Sequence, residues 1–157
     1  MRKLALALIG GLAACEGATS AGTTIGAIQG SGDRSPLEGE TVSVTGVVTG
    51  DFQSRDEDRQ SELGGFFVQQ FPGDDDPSTS DGIFVYDGVN PSVDVGVGDE
   101  VTVTGTVKEH FGETQIDAEA VTVHGPGAWA TTYVEFPQPT TTNSDGDPIP
   151  DLERYEG

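Results

Sequence analysis

Two ten-residue blocks of this chain are near copies of each other, fifty-nine positions apart: GETVSVTGVV at 39–48 and GDEVTVTGTV at 98–107. Each opens with a glycine and an acid, alternates Val with Ser or Thr, and places a glycine inside the run. Such alternation turns one face of a strand to a core and the other to solvent. A glycine inside a strand marks a bulge, a bend or a close backbone approach. Two long bent strands (Thr41 to Phe52 and Glu100 to His110) therefore flank two shorter apolar runs, Gly65 to Gln70 and Ile83 to Tyr86, and a fifth run follows from Thr114 to Val123.

The expected fold is all-β: a small five-stranded barrel of the OB type, in which strand one curls through the sheet and pairs with strand four. A small β-sandwich is the alternative. The loops are Gln53–Leu63, polar and charged, and Pro72–Asp81, acidic. Asp87–Asp99 is too rich in Gly and Pro for more than a turn. The entry segment 24–37 carries turn formers, with Ile25 and Ile28 able to pack.

The flanks read differently. Arg2 and Lys3 precede a short apolar run, Leu4 to Leu12, well below the ~20 residues of a membrane span, so residues 1–14 read as an export signal. The run ends Leu12-Ala13-Ala14-Cys15, which resembles the lipobox of bacterial lipoproteins. That resemblance implies lipidation of Cys15 and, with Glu16 next to it, an outer-membrane or cell-surface location; an ordinary cleaved signal would leave the protein secreted. Residues 15–24 read as a tether, 25–125 as the barrel, and 126–157 as a Pro- and Thr-rich acidic linker leading to the start of a missing domain. Cys15 is the single cysteine, so an internal disulfide and a cysteine zinc site are excluded.

The order and spacing of several segments resemble one family. They are IQGSG at 28–32, SPL at 35–37, VTGVVTG at 44–50, GFFVQ at 65–69, TSDGIFV at 79–85 and VGDEV at 97–101, with LERYEG at 152–157. Together they resemble the N-terminal OB-like region of large secreted bacterial nucleases, which carry a downstream catalytic domain of the endonuclease/exonuclease/phosphatase class. The resemblance implies a non-catalytic accessory module, nucleic-acid binding among its roles, in an exported enzyme that degrades extracellular DNA. The magnesium or other divalent metal of such an enzyme belongs to the catalytic domain. The carboxylates, general-base His and Asn/Asp partners of that domain have no counterpart here, so no catalytic residue is assigned. Two other classes stay open: an envelope binding module for oligosaccharide or protein, and a spacer without a ligand.

Candidate ligand residues follow from the barrel. If Ile83 and Val85 face the core, Phe84 and Tyr86 face outward, with Phe67 beside them, on the strands where OB barrels stack bases. Arg55 and Arg59 in the first loop, with Lys108 and His110 at the end of strand four, border the same face. The formal net charge of −20 argues against a broad phosphate-binding surface, so contact with DNA is expected to be weak and salt-dependent. His110 and His124 are expected at strand ends, without a shared metal. Calcium is the one cofactor the chain suggests by itself. Asn143, Asp145, Asp147 and Asp151 alternate oxygen ligands, and Asp74, Asp75, Asp76 and Asp81 form a second acidic stretch.

Overall fold

A computed structural model describes residues 22–53, 63–128, 140–142 and 148–150, the last two segments as backbone. Five strands form a closed barrel: β1 Thr41–Phe52, β2 Gly65–Gln69, β3 Gly82–Tyr86, β4 Asp99–His110 and β5 Glu113–Pro126. Their order around the barrel is β1-β2-β3-β5-β4, with β4 returning to β1. All pairings are antiparallel except β3 with β5. This is the five-stranded barrel expected of the sequence, and the strand bounds agree within a few residues.

The near copies pair with each other in antiparallel register. Val42 lies opposite Gly105, Val44 opposite Val103 and Gly46 opposite Val101. Because the two sequences match position for position, this register has a local two-fold axis between Val44 and Val103. The axis extends to the ends of the blocks. Gly39 N–H donates to the Val107 carbonyl at 2.9 Å, and its counterpart Gly98 donates to the carbonyl of Val48 at 2.8 Å. Both opening glycines take positive φ, +86° and +97°, a region that side chains resist. The first residue of each block thus turns the chain and fastens it to the last residue of the other.

The inner glycines solve a packing problem. A Cβ on Gly46 would stand 2.6 Å from the carbonyl oxygen of Gln69, where β1 passes from β4 to β2. A Cβ on Gly105 would stand 2.3 Å from the Asp117 carbonyl, where the β4–β5 register shifts. No side chain fits there without moving backbone.

The alternating residues Val42, Val44, Val101, Val103 and Val107 fill the barrel with Phe66, Val68, Ile83, Val85 and Ile116. Each such side chain contributes about 1.5–3 kcal/mol by leaving water. A helix absent from the sequence expectation, α1 (Ile25–Gln29), adds Ile25 and Ile28 to this core. Its single turn is capped by Thr24, whose hydroxyl accepts the Ala27 N–H at 3.2 Å. Gly26 hides the helix from propensity arguments, yet a Cβ there would strike the Asp74 carboxylate. α1 is tied to the far end of the β2–β3 pair, where Gln70 accepts the Ile25 N–H at 2.9 Å and Gln29 donates to Gly82 at 2.7 Å.

The Asp87–Asp99 stretch forms no helix, as its composition predicts. It is pinned by buried Gln53, which donates to the Val93 carbonyl at 3.0 Å and to Asp87, and accepts from Val95 N–H at 3.2 Å. Within the segment read as a linker, β6 (Thr140–Thr142) and β7 (Pro148–Pro150) form a short antiparallel pair.

Replacing Gly105 with Ala is expected to cost about 2–3 kcal/mol, because backbone must shift to admit the methyl. Gly32→Ala, at a position with open space around it, should change stability by less than about 1 kcal/mol. Urea unfolding of both variants checks the contrast; equal effects would contradict the close approach at Gly105.

Candidate ligand-binding cleft

The outward face of β2, β3 and β5 is set by the same alternation that fills the core. Phe66, Ile83, Val85 and Ile116 point in, and Phe67, Phe84, Tyr86, Gln115 and Asp117 point out. The register brings the outward set together. Phe67 lies opposite Phe84, Phe84 is beside Gln115, and Tyr86 is beside Asp117.

Glycines let the rings lie down on the sheet. Gly65 stands opposite Tyr86, and a Cβ there would come within 2.7 Å of the Phe84 ring. At Gly64, which has φ +73°, a Cβ would come within 3.1 Å of the Tyr86 ring. The rings also order one another. Phe67 meets Phe84 at 5.0 Å between centroids, tilted by 56°, and takes Phe52 edge-on at 5.9 Å. Such pairs add about 0.5–1.5 kcal/mol beyond burial. Phe84 is consequently not the open platform that its outward direction suggests: only 9% of it is exposed, whereas Tyr86 keeps 39%. Phe84 forms the floor of the site and Tyr86 part of its wall.

The floor and walls enclose a cleft of about 470 Å³. His110 lines it. Lys108 lies on the same side of β4, opposite Gln115, but outside the lining. The loop that carries Arg55 and Arg59 lies outside the described residues, although Leu63, at its end, lines the cleft. Cys15, Asn143, Asp145, Asp147 and Asp151 also lie outside them.

One major contributor was not anticipated. Phe111 and Gly112 form the two-residue turn between β4 and β5, with φ of +53° and +91°. Both central residues of a type I′ hairpin need positive φ, which favours Asn-Gly and disfavours an aromatic residue. Phe111 is nonetheless 96% exposed, touching His110 edge-on at 4.5 Å between ring centroids, and it lines the cleft. A large apolar side chain held in an unfavourable backbone conformation, facing water at the mouth of a cleft, is a placement that folding alone does not reward. An aromatic residue in a two-residue turn between two strands was the available signal.

The polar lining is acidic. Glu113, Gln115 and Asp117 come from the start of β5, and among the described residues that line the cleft there is no Lys or Arg. Glu109, by contrast, is engaged in the scaffold, accepting from the Ser35 N–H at 2.7 Å and the Thr114 hydroxyl at 2.9 Å.

The two histidines sit at opposite ends of the β4–β5 ladder. His110 pairs with Glu113 at the hairpin, and His124 lies beyond the Val101–Val123 pair with its Nε2 2.8 Å from the Thr102 hydroxyl. They cannot share a metal. In the acidic loop before β3 the carboxylates cap backbone N–H groups: Asp81 accepts from Asp74 at 3.1 Å, Asp74 from Asp76 at 2.9 Å, and Asp76 from Ser78 at 2.9 Å. Among the described residues no group of three or more His, Cys, Asp or Glu is arranged to hold a metal ion.

No family model matches this chain, and no curated protein matches it either.

Two outcomes follow from this geometry. Phe111→Asn relieves the turn and should raise stability by about 1 kcal/mol, read as an upward shift in thermal midpoint; a fall would mean that the Phe111 ring contributes more to folding than its exposure indicates. The Asp76 carboxyl is held below the usual aspartate range by the Ser78 hydroxyl, and then by the Ser78 N–H. A depressed folded pKa gives stability that is present above the unfolded value and lost as pH falls through the folded one. Ser78→Ala should move the Asp76 titration part of the way back toward ~3.9, as followed by carboxyl carbon NMR; an unmoved titration would reject the assignment.

Proposed function

We propose that this chain is a non-catalytic OB-type binding module, the leading part of an exported bacterial nuclease acting on extracellular DNA, and that its cleft holds single-stranded nucleic acid by the bases. The observation that carries the reading is the aromatic cleft of Phe67, Phe84, Tyr86 and Phe111, on the face that OB barrels use for single strands. Of the segments that resemble the nuclease family, VTGVVTG, GFFVQ, TSDGIFV and VGDEV fall on β1, on β2, on β3 with the loop before it, and on the turn into β4, while IQGSG and SPL fall on the end of α1 and the loop after it. The catalytic work, and its divalent metal, belong to a downstream domain. Lipidation of Cys15 would keep the module at the cell surface.

Stacking suits this molecule better than phosphate contact. A net charge of −20 repels phosphates at long range, whereas stacking of a base on an aromatic ring contributes about 1–3 kcal/mol regardless of charge. Affinity is therefore modest, and the module would act by raising the local concentration of substrate beside a tethered catalytic domain.

A second reading, an oligosaccharide-binding module, is favoured by one observation: the cleft combines aromatic rings with the carboxylates of Glu113 and Asp117 and the amide of Gln115. Sugar rings stack by their C–H faces and donate hydroxyls to such groups.

Tyr86→Ala and Phe67→Ala should each weaken binding of a single-stranded oligonucleotide by roughly tenfold, measured by fluorescence anisotropy with folding checked by circular dichroism. Unchanged affinity in both folded variants would remove the cleft as the binding site.

A further inference from the structure

The polar wall of the cleft has a direction of hydrogen bonding. Glu113 and Asp117 are carboxylates and only accept. Gln115 is more than nine-tenths buried, and its Nε2 donates to Asp117 at 2.7 Å. A carboxylate cannot donate in return, so the Gln115 amide is fixed with its nitrogen toward Asp117. Its carbonyl oxygen, which only accepts, is not engaged by that bond. Three neighbouring lining residues at the start of β5 thus carry acceptors. Tyr86 and His110, which can donate or accept, stand across from them, and no Lys or Arg among the described lining residues offsets the acceptors.

We infer that the cleft selects a ligand edge rich in hydrogen-bond donors, and that among single strands it prefers amino-bearing bases, cytosine over uracil. This inference rests on the nucleic-acid reading of the cleft. Cytosine carries an N4 amino group, which acidic side chains accept. Uracil has a carbonyl at the same position, which would meet Glu113, Asp117 or the Gln115 oxygen acceptor to acceptor. The two pyrimidines stack alike, so the aromatic floor of Phe67 and Phe84 does not separate them; the wall does. A phosphate turned toward this wall would be repelled, so the strand enters base first with its backbone outward.

The test is fluorescence anisotropy of the whole chain with labelled oligodeoxycytidine and oligodeoxyuridine of about twelve nucleotides, within the ~4–16 that an OB barrel holds. The buffer is mildly alkaline, so that cytosine is neutral. The cytidine strand should bind roughly tenfold more tightly. In the double variant Glu113→Gln, Asp117→Asn the ratio should fall toward one, while uridine binding is kept or improved as repulsion is removed. Equal affinities in the unsubstituted chain overturn the donor preference and leave the proposed function standing. A ratio that survives the double substitution overturns the assignment to these carboxylates. Absence of binding to both strands, with a neutral oligosaccharide or a polyamine bound instead, removes the nucleic-acid reading and the base preference with it.

Discussion

The pairing of β1 with β4 is the contact on which the rest of the molecule is built. It joins the ends of the barrel, and its valines form the centre of the core. Each strand spends only part of its length in it: β1 continues to β2, and β4 runs alongside β5 throughout. The glycines at 46 and 105 admit the close backbone approaches where β1 passes from β4 to β2 and where the β4–β5 register shifts. A closed barrel leaves fewer backbone groups at open edges than a flat sheet of the same size. That matters for a chain whose described core is mostly valine.

The cleft is a by-product of this closure. Once β1 and β4 meet, β3 and β5 are brought side by side in parallel, a pairing between strands that are not consecutive in the chain. This places Phe84 next to Gln115 and Tyr86 next to Asp117, so that an aromatic strand borders an acidic one. The β4–β5 hairpin then lifts Phe111 over the open side. The helix α1 closes the opposite end of the β2–β3 pair and adds two isoleucines to the core. The two ends of one hairpin thus serve different purposes: one is sealed by apolar packing, and the other is left open with rings and carboxylates.

The parts of this arrangement that were legible in the sequence are those governed by period-two alternation. Val42 through Val48 and Val101 through Val107 declare their inner face, and Ile83 with Val85 fixes the outward direction of Phe84 and Tyr86. What was not legible depends on contacts between distant segments. The burial of Phe84 comes from Gly65 and Phe67 on another strand, which no local pattern of β3 contains. α1 is too short and too rich in glycine to show a helical period; it exists because Ile25 and Ile28 have a core to enter. The acidic wall at Glu113 and Asp117 has no local signal, because the parallel pairing that makes it part of a site is a property of topology. Phe111 stood in plain sight, but a turn is ordinarily read for its glycine and not for the aromatic residue in front of it.

The local two-fold axis between Val44 and Val103 has a consequence beyond the single molecule. A strand that resembles its own partner offers the same ladder to a second copy of the chain, so β1 of one molecule matches β1 or β4 of another nearly as well as its own. Strand exchange is the natural misassembly of such a barrel. The acids that open each block, Glu40 and Asp99 with Glu100, lie beside that ladder, and the whole chain is strongly negative. Mutual repulsion between copies opposes such exchange while the barrel folds, and acid or high salt, which weaken that repulsion, favour it.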